Sequence, residues 1–123
     1  MEINSYKDLI VWRKSMDLVE SIYKLTDEFP KNEMFGLVSQ IRRAAISIPS
    51  NIAEGRRRGG RKEYCHFLFI SYGSGAEVET QLEIAKRLGY GNSIKIKDIE
   101  ELLTEVMKML NAMLYSMREP SAS

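Results

Sequence analysis

The sequence predicts an all-α fold, an antiparallel up-down-up-down four-helix bundle, and three observations lead to it. Apolar residues recur at alternating spacings of three and four in four long segments, which is the periodicity of one helix face. Short stretches rich in glycine or proline separate these segments. No stretch alternates apolar and polar residues as a strand does. Because the connections are short, consecutive helices are expected to run in opposite directions.

The composition is that of an ordinary globular protein. The 123 residues are 44% hydrophobic and 28% charged, enough to build one core. A single cysteine excludes a disulfide framework within the chain, and no apolar run reaches the roughly 18 residues that a membrane span requires. The amino terminus shows no secretory signal. We therefore expect a cytoplasmic protein with one domain at residues 1–118 and a flexible tail at residues 119–123.

The first helix is expected over residues 6–27, with Ser5 as its N-cap. It carries two neighbouring apolar stripes, so it is wide enough to contact two other helices. Pro30 ends it, because the residue before a proline is pushed away from helical angles. The first stripe consists of Leu9, Trp12, Met16, Val19 and Tyr23, and the second of Val11, Leu18, Ile22 and Leu25.

The second helix is expected over residues 33–54 and contains an interior proline, Pro49. Proline inside a helix loses a hydrogen bond and clashes with the preceding turn, at a cost of about 3 kcal/mol. The helix therefore either kinks at Pro49 or ends there and gives way to another. The apolar spacing continues in phase across Pro49, which favours one kinked helix. Gly55 is expected to stop it, with a turn at 59–60.

The third helix is expected over residues 61–88 and the fourth over residues 96–117. Gly73 and Gly75 weaken the third helix by about 1 kcal/mol each, which a close crossing with another helix would offset. Their spacing fits no phosphate-binding glycine loop. The fourth helix is rich in methionine, and its apolar arc is wider than a bundle seam needs. That arc and the wide face of the first helix predict an oligomer.

No group of residues is suited to catalysis or metal binding. Cys65 and His66 are neighbours on a helix, where their side chains diverge by about 100° and cannot act as a nucleophile–base pair. Two such side chains also fall short of a zinc site. The glutamates at 77, 79 and 83 lack the Glu-x-x-His motif of di-iron bundles. We therefore expect no enzyme activity, no metal and no cofactor.

Positive charge is concentrated in one part of the chain. Residues 36–62 hold seven Lys and Arg against one acidic residue, net +6, whereas residues 63–123 hold six against nine, net −3. Arginine binds phosphate with a fixed fork of donors, and the start of a helix adds partial positive charge. RNA or single-stranded DNA is the ligand that this pattern favours. The cluster consists of Arg56, Arg57, Arg58, Arg61 and Lys62.

Two other interpretations of this cluster stay open. The charges can pair with the acidic helix of another subunit or protein, or they can be solvated loop charges. The first would make the protein an interaction scaffold whose basic and acidic ends pair between subunits, with no nucleic-acid binding. The second would leave the cluster without a binding role.

Four segments resemble one known family. They are YKDLIVW at 6–12, GLVSQIRRAAISIPSNIAEG at 36–55, EYCHFL at 63–68 and GSGAEVETQL at 73–82. The chain resembles the bacterial four-helix-bundle proteins named after intervening sequences in 23S ribosomal RNA genes. That resemblance implies an antiparallel bundle, a homopentamer and association with nucleic acid. A similar protein of diversity-generating retroelements binds a reverse transcriptase and nucleic acid, but the family has no established activity.

The second of these segments contains polar residues that we expect to act together. Ser50, Asn51 and Glu54 are predicted to form a structural polar network near Pro49, while Arg42 and Arg43 are predicted to extend the nucleic-acid surface. Two alternatives stay open: the arginines join that network and the whole set is structural, or the set lines a basic channel in a ring. The chain departs from its relatives at Gly60, a weaker helix cap than the usual serine.

Overall fold

The computed structural model describes residues 5–117, and this part of the chain is helical without a β-strand. The predicted all-α class with four long helices is confirmed. Two short 3-10 turns, Tyr6–Asp8 and Lys31–Glu33, precede the first and second helices. The predicted tail at 119–123 lies outside the described residues. The helices are α1 (Ile10–Thr26), α2 (Leu37–Arg58), α3 (Arg61–Leu88) and α4 (Ser93–Met117).

Side-chain caps precede α1 and α4, but the first of them belongs to a 3-10 turn. Ser5 accepts a hydrogen bond from the Lys7 backbone N–H at 3.2 Å, so it caps the 3-10 turn and not α1, which begins four residues later than predicted. Asn92 accepts hydrogen bonds from the Ile94 and Lys95 N–H groups at 2.9 and 3.0 Å. This cap starts α4 at Ser93, one turn before the predicted position.

The four helices share one apolar core. The helices in contact are α1 with α2, α2 with α3, α3 with α4, and α1 with α4. In α1 the core is formed by the second of the two predicted stripes, which includes the fully buried Leu18 and Ile22. Met16 and Tyr23 of the first stripe stay 39% and 38% exposed. The wide apolar face of α1 is therefore only partly used inside one chain.

α2 is one continuous helix through the buried Pro49, as predicted, but it does not stop at Gly55. A Cβ atom at Gly55 would lie 2.7 Å from the Phe67 Cβ and 3.1 Å from the Tyr64 Cδ1. Gly55 is therefore a close contact between α2 and α3, and the prediction that it ends the helix was wrong. Gly59, with φ at +80°, is the residue that ends it.

The two glycines in the middle of α3 have different surroundings. Gly75 is buried, and a Cβ atom there would overlap the Met107 Sδ of α4, so the predicted close crossing is confirmed at this position. Gly73 is exposed, with no atom within 4 Å of a built Cβ. Close packing therefore accounts for Gly75 alone.

Candidate nucleic-acid interface

The five residues of the predicted cluster are brought together at the α2–α3 turn and are called the basic turn below. Three arginines lie in the last turn of α2, where the partial negative charge of the helix terminus favours cations. Two basic residues lie in the first turn of α3. The turn between the helices is made by two glycines. The basic turn consists of Arg56, Arg57, Arg58, Arg61 and Lys62.

Arg57 and Arg58 differ in how their charge is used. The Arg58 guanidinium forms ion pairs with Glu54 at 3.1 Å and Glu63 at 3.7 Å, and it lies 5.3 Å from the centre of the Phe67 ring. The exposed Arg57 lies 5.6 Å from the centre of the Tyr6 ring. The charge of Arg58 is therefore largely neutralised by carboxylates of its own chain, whereas the guanidinium of Arg57 is exposed to solvent.

Arg61 and Lys62 also differ. Arg61 donates hydrogen bonds to the backbone carbonyls of Met117 at 3.1 Å and Ser116 at 3.5 Å, near the end of α4. These carbonyls lie in the last turn of a helix, where no backbone N–H of the same helix is left to pair with them. Lys62 is exposed and makes no ion pair within residues 5–117. Arg61 thus holds the basic turn against α4, and Lys62 extends into solvent.

A groove of about 530 Å³ lies at the basic turn. Tyr64 lines this groove, but its hydroxyl is buried and has no hydrogen-bond partner within the described residues. Burial raises the pKa of Tyr64, while the nearby charge of Arg56 lowers it. The guanidinium groups of Arg56 and Arg61 line the groove, and guanidinium is suited to an oxyanion such as phosphate. The groove is lined by Gly55, Arg56, Gly59, Gly60, Arg61, Tyr64, Ser116 and Met117.

Arg42 lies four turns before Arg58, about 24 Å away along α2 at 1.5 Å per residue. It donates hydrogen bonds to the Thr26 Oγ1 at 2.9 Å and to Asp27 at 3.0 Å, and its guanidinium lies 4.4 Å from the centre of the Tyr23 ring. Its side chain is only 18% exposed. Arg42 therefore joins α2 to the end of α1 and lies apart from the basic turn.

The predicted polar residues near Pro49 lie in three different surroundings. Asn51 donates hydrogen bonds to the Ser47 carbonyl at 2.8 Å and hydroxyl at 2.9 Å, and Ser74 of α3 donates to that hydroxyl at 2.8 Å. Glu54 pairs with Arg58, and Ser50 is exposed. Asn51 thus belongs to a network that crosses from α2 to α3, whereas the other two belong to different sites.

Three serines of this α2–α3 contact were not recognised from the sequence as a polar network. Ser71 is fully buried and donates to the Ile48 carbonyl at 2.9 Å, in the peptide bond that precedes Pro49. Ser47 and Ser74 form the adjacent contact. The available signal was a serine at a core position of the third helix's apolar stripe.

The other residues considered for catalysis or metal binding do not form a site within the described part of the chain. His66 is exposed, and Cys65 is half-buried beside it. Within residues 5–117 no three His, Cys, Asp or Glu side chains are grouped as metal ligands would be. None of the helices in that range has the length and apolar character to cross a membrane. The basic turn is therefore the feature of the described chain that is best suited to a ligand.

Comparisons with known proteins agree with the helical fold. The model of the 23S rRNA-intervening sequence protein family matches residues 7–112. A solved structure from Bacteroides thetaiotaomicron, a protein with unknown function from the S23 ribosomal protein family, is 26% identical, with a TM-score of 0.79. The similarity covers 86% of this chain and 96% of that one. No curated protein matches. The chain therefore belongs to the 23S rRNA-intervening sequence protein family.

Proposed function

We propose that the protein is a non-enzymatic, oligomeric helical bundle that binds RNA or single-stranded nucleic acid through the basic turn. The observation that carries this proposal is the combination of the exposed Arg57 and Lys62 with a groove whose lining includes Arg56 and Arg61. The basic turn holds five cations in seven residues, and only Arg58 among them pairs with the flanking Glu54 and Glu63 within the described residues. The positive charge that is left makes this end of the molecule attractive to a phosphate backbone.

The contacts at the basic turn favour recognition of the backbone over the reading of bases. Guanidinium and ammonium groups neutralise phosphates whatever the sequence. The Tyr6 ring beside Arg57 offers a surface on which an unpaired base can stack, which is how sequence-tolerant single-strand binding is commonly achieved. We therefore expect strongly salt-dependent binding with little sequence preference.

We propose that the four helices form one up-down-up-down bundle over residues 1–118, with α2 kinked at Pro49. Contacts between opposite helix ends support antiparallel neighbours: Arg61 reaches Met117, and Lys86 pairs with Glu100 at 3.1 Å. Pro49 supports the kink because it offers no backbone N–H.

The family resemblance extends this proposal to partners. It implies a cytoplasmic homo-oligomer of five copies and a nucleic-acid enzyme, such as a reverse transcriptase, as a protein partner. The exposed apolar side chains of α1 support association between copies, since isolated soluble chains rarely leave such surface uncovered.

Fluorescence-anisotropy titration at two salt concentrations tests the nucleic-acid proposal, with a structured RNA and a single strand as probes. The double variant R57E/K62E is expected to lose affinity about 10-fold or more at low salt, with a salt slope smaller by about 1 to 2, because two phosphate contacts become repulsive. The matched control K24E/K97E reverses two exposed lysines elsewhere and makes the same change in net charge. Its affinity should stay close to that of the wild type.

A protein-interaction scaffold is the second candidate function. The observation that favours it is a groove between α3 and α4 whose charged lining residues are Glu79, Glu83, Glu100 and Arg87. Glu83 and Glu100 already pair with Arg87 and Lys86, so Glu79 is the acidic group that a neighbouring basic turn would contact first. In that case R57E/K62E should dissociate the oligomer in light scattering. Absence of nucleic-acid binding by the wild type even at low salt would overturn the first proposal and favour this one.

A further inference from the structure

A groove between α1 and α2 lies beside the basic turn and differs from it in its chemistry. It has a volume of about 330 Å³, which falls in the range of about 300–1,000 Å³ typical of ligand sites. None of its lining residues is charged. It is called the α1–α2 groove below, and its lining includes two aromatic rings and side chains of both helices, namely Tyr6, Trp12, Met16, Ile46, Pro49 and Ala53.

The two aromatic rings connect this groove to the basic turn. Tyr6 and Trp12 pack edge to face, with their ring centres 5.4 Å apart and their planes at 67°. The guanidinium of Arg57 lies over the Tyr6 ring, 5.6 Å from its centre. The groove and the basic turn are therefore continuous through Tyr6, and a strand whose phosphate contacts Arg57 can place a neighbouring base at the groove.

One face of α2 runs from the basic turn along the groove. An exposed arginine stands at each end of this face, and the two lie about 21 Å apart along the helix at 1.5 Å per residue. The residues between them line the groove. Cations at both ends and an apolar middle match the phosphates and bases of a single strand. The face, with its helical spacings of three and four, consists of Arg43, Ile46, Ser50, Ala53 and Arg57.

The acidic residue of α2 that lies near this face is already neutralised. Glu54 is the single acidic residue of residues 36–62, and it pairs with Arg58 at 3.1 Å. Arg43 and Arg57 make no ion pair within residues 5–117. The surface of α2 is therefore net positive beside an apolar groove. A single strand uses both properties, since its phosphates need the cations and its bases need the apolar surface.

We propose that the α1–α2 groove is the base-binding part of the nucleic-acid site. The basic turn holds phosphates of a single strand, and one unpaired base packs in the groove against Trp12. The inference rests on the proposed function and deepens it, because it names a single strand with accessible bases as the ligand. In a duplex the bases are paired and stacked, so none reaches the groove without being flipped out. The exposed Ser50 hydroxyl can donate to or accept from any base edge, so it adds little sequence preference.

The groove leaves other apolar residues of α1 for contacts between copies. Ile10 and Tyr23 are 62% and 38% exposed, and both lie outside the groove lining. Association of copies through α1 therefore need not cover the groove.

Trp12 reports on the groove, because it is the single tryptophan of the chain. Its fluorescence is followed while the full chain is titrated with a short oligothymidine, an abasic strand of equal length and a blunt duplex. Oligothymidine is expected to quench Trp12 and to bind about 5- to 100-fold more tightly than the abasic strand, the scale of base–aromatic contacts. The abasic strand and the duplex should leave the fluorescence unchanged. The two single strands carry the same phosphates and should show the same salt dependence.

A filled groove separates the base contact from the phosphate contacts. Ala53→Leu places a larger side chain in the groove without changing the charge. It should remove most of the advantage of oligothymidine over the abasic strand. Affinity for the abasic strand and the salt dependence should stay unchanged, which also shows that the variant is folded. Ala76→Leu, the matched control, makes the same substitution at an exposed position of α3 and should keep the full difference.

Three results would overturn this inference. Equal affinity for both single strands at unchanged Trp12 fluorescence would confine binding to the basic turn and leave the groove to an apolar segment of a protein partner, while the proposed function stands. Trp12 fluorescence that depends on protein concentration without nucleic acid would show that another copy covers the groove. Absence of binding by every probe at low salt would overturn the proposed function and this inference together.

Discussion

The two ends of α2 carry arginines in opposite circumstances. Near the beginning of the helix, the Arg42 guanidinium donates hydrogen bonds to Thr26 and Asp27 and lies over the Tyr23 ring. At the end of the helix, the exposed Arg57 lies over the Tyr6 ring and makes no ion pair within residues 5–117. Residue type and helix are the same, so the environment alone makes one arginine a link between helices and the other a candidate for ligand binding.

The difference arises from which groups lie opposite each arginine. Arg42 faces the last turn of α1, where a backbone carbonyl, a hydroxyl and a carboxylate are within reach. Arg57 lies in the last turn of α2 itself, just before two glycines that offer no side chain. A high local positive charge therefore does not by itself identify a binding residue, and acceptors on neighbouring helices must be known first.

Replacing Arg42 should have one of the two largest effects on stability. Arg42→Ala removes hydrogen bonds of a charged donor from a largely buried position, and we expect the free energy of unfolding to fall by about 2 kcal/mol. Denaturant unfolding measures this change, and Arg43→Ala, at an exposed neighbour, should change it by less than about 0.5 kcal/mol. A loss of RNA affinity at unchanged stability would instead place Arg42 in the contact surface.

Gly55 tests the other end of α2. Gly55→Ala places a Cβ atom 2.7 Å from the Phe67 Cβ, so the contact between α2 and α3 must open. We expect a loss of about 2 kcal/mol of stability from this overpacking, measured by thermal unfolding. Gly73→Ala is the matched control, because it adds the same methyl group to an exposed helix position and should stabilise by about 0.5–1 kcal/mol. Equal effects of the two substitutions would contradict the close contact.

Replacing Tyr64 should have the smallest effect on stability, and this effect should depend on pH. Its hydroxyl is buried without a partner among the residues that the structure describes, so Tyr64→Phe should be neutral or stabilising by about 0.5 kcal/mol. Burial raises the pKa of Tyr64 above its ordinary 10.0, so folding favours the protonated form. The contribution of this pKa difference to the free energy of unfolding is fully present below pH 10.0. It is lost as the pH rises through the raised pKa of Tyr64.

The measurement is the unfolding free energy of the wild type and of Tyr64→Phe at about pH 9 and about pH 11. The wild type should lose more stability over this interval than the variant. An equal loss in both proteins would mean that Tyr64 titrates normally.

Periodicity identified the helices well because it depends on the chain alone. The third helix was predicted at the residues where α3 lies, 61–88, and the continuity of α2 through Pro49 followed from the phase of its apolar residues. Gly55 was misassigned because a glycine can either end a helix or admit a neighbouring one. Its close approach to Phe67 is a contact between two helices, which the local sequence pattern cannot predict.

The candidate site was predicted in part. The five basic residues of the turn were found from their sequence proximity, and they do lie at one junction of α2 and α3. The Tyr64 hydroxyl and the link from Arg61 to the end of α4 were not found. Each depends on helices far apart in sequence, so their roles follow from packing and not from spacing.

The sequence by itself determined an all-α chain of four amphipathic helices and the position of its densest positive charge. Both follow from short-range properties, namely the helix period and the order of charged residues. Only the tertiary structure decided which of the two apolar stripes of α1 enters the core, which arginines are engaged by the chain and which polar atoms stay unpaired. Those outcomes depend on which residues each helix face contacts across the bundle. The order of residues along the chain does not specify these contacts.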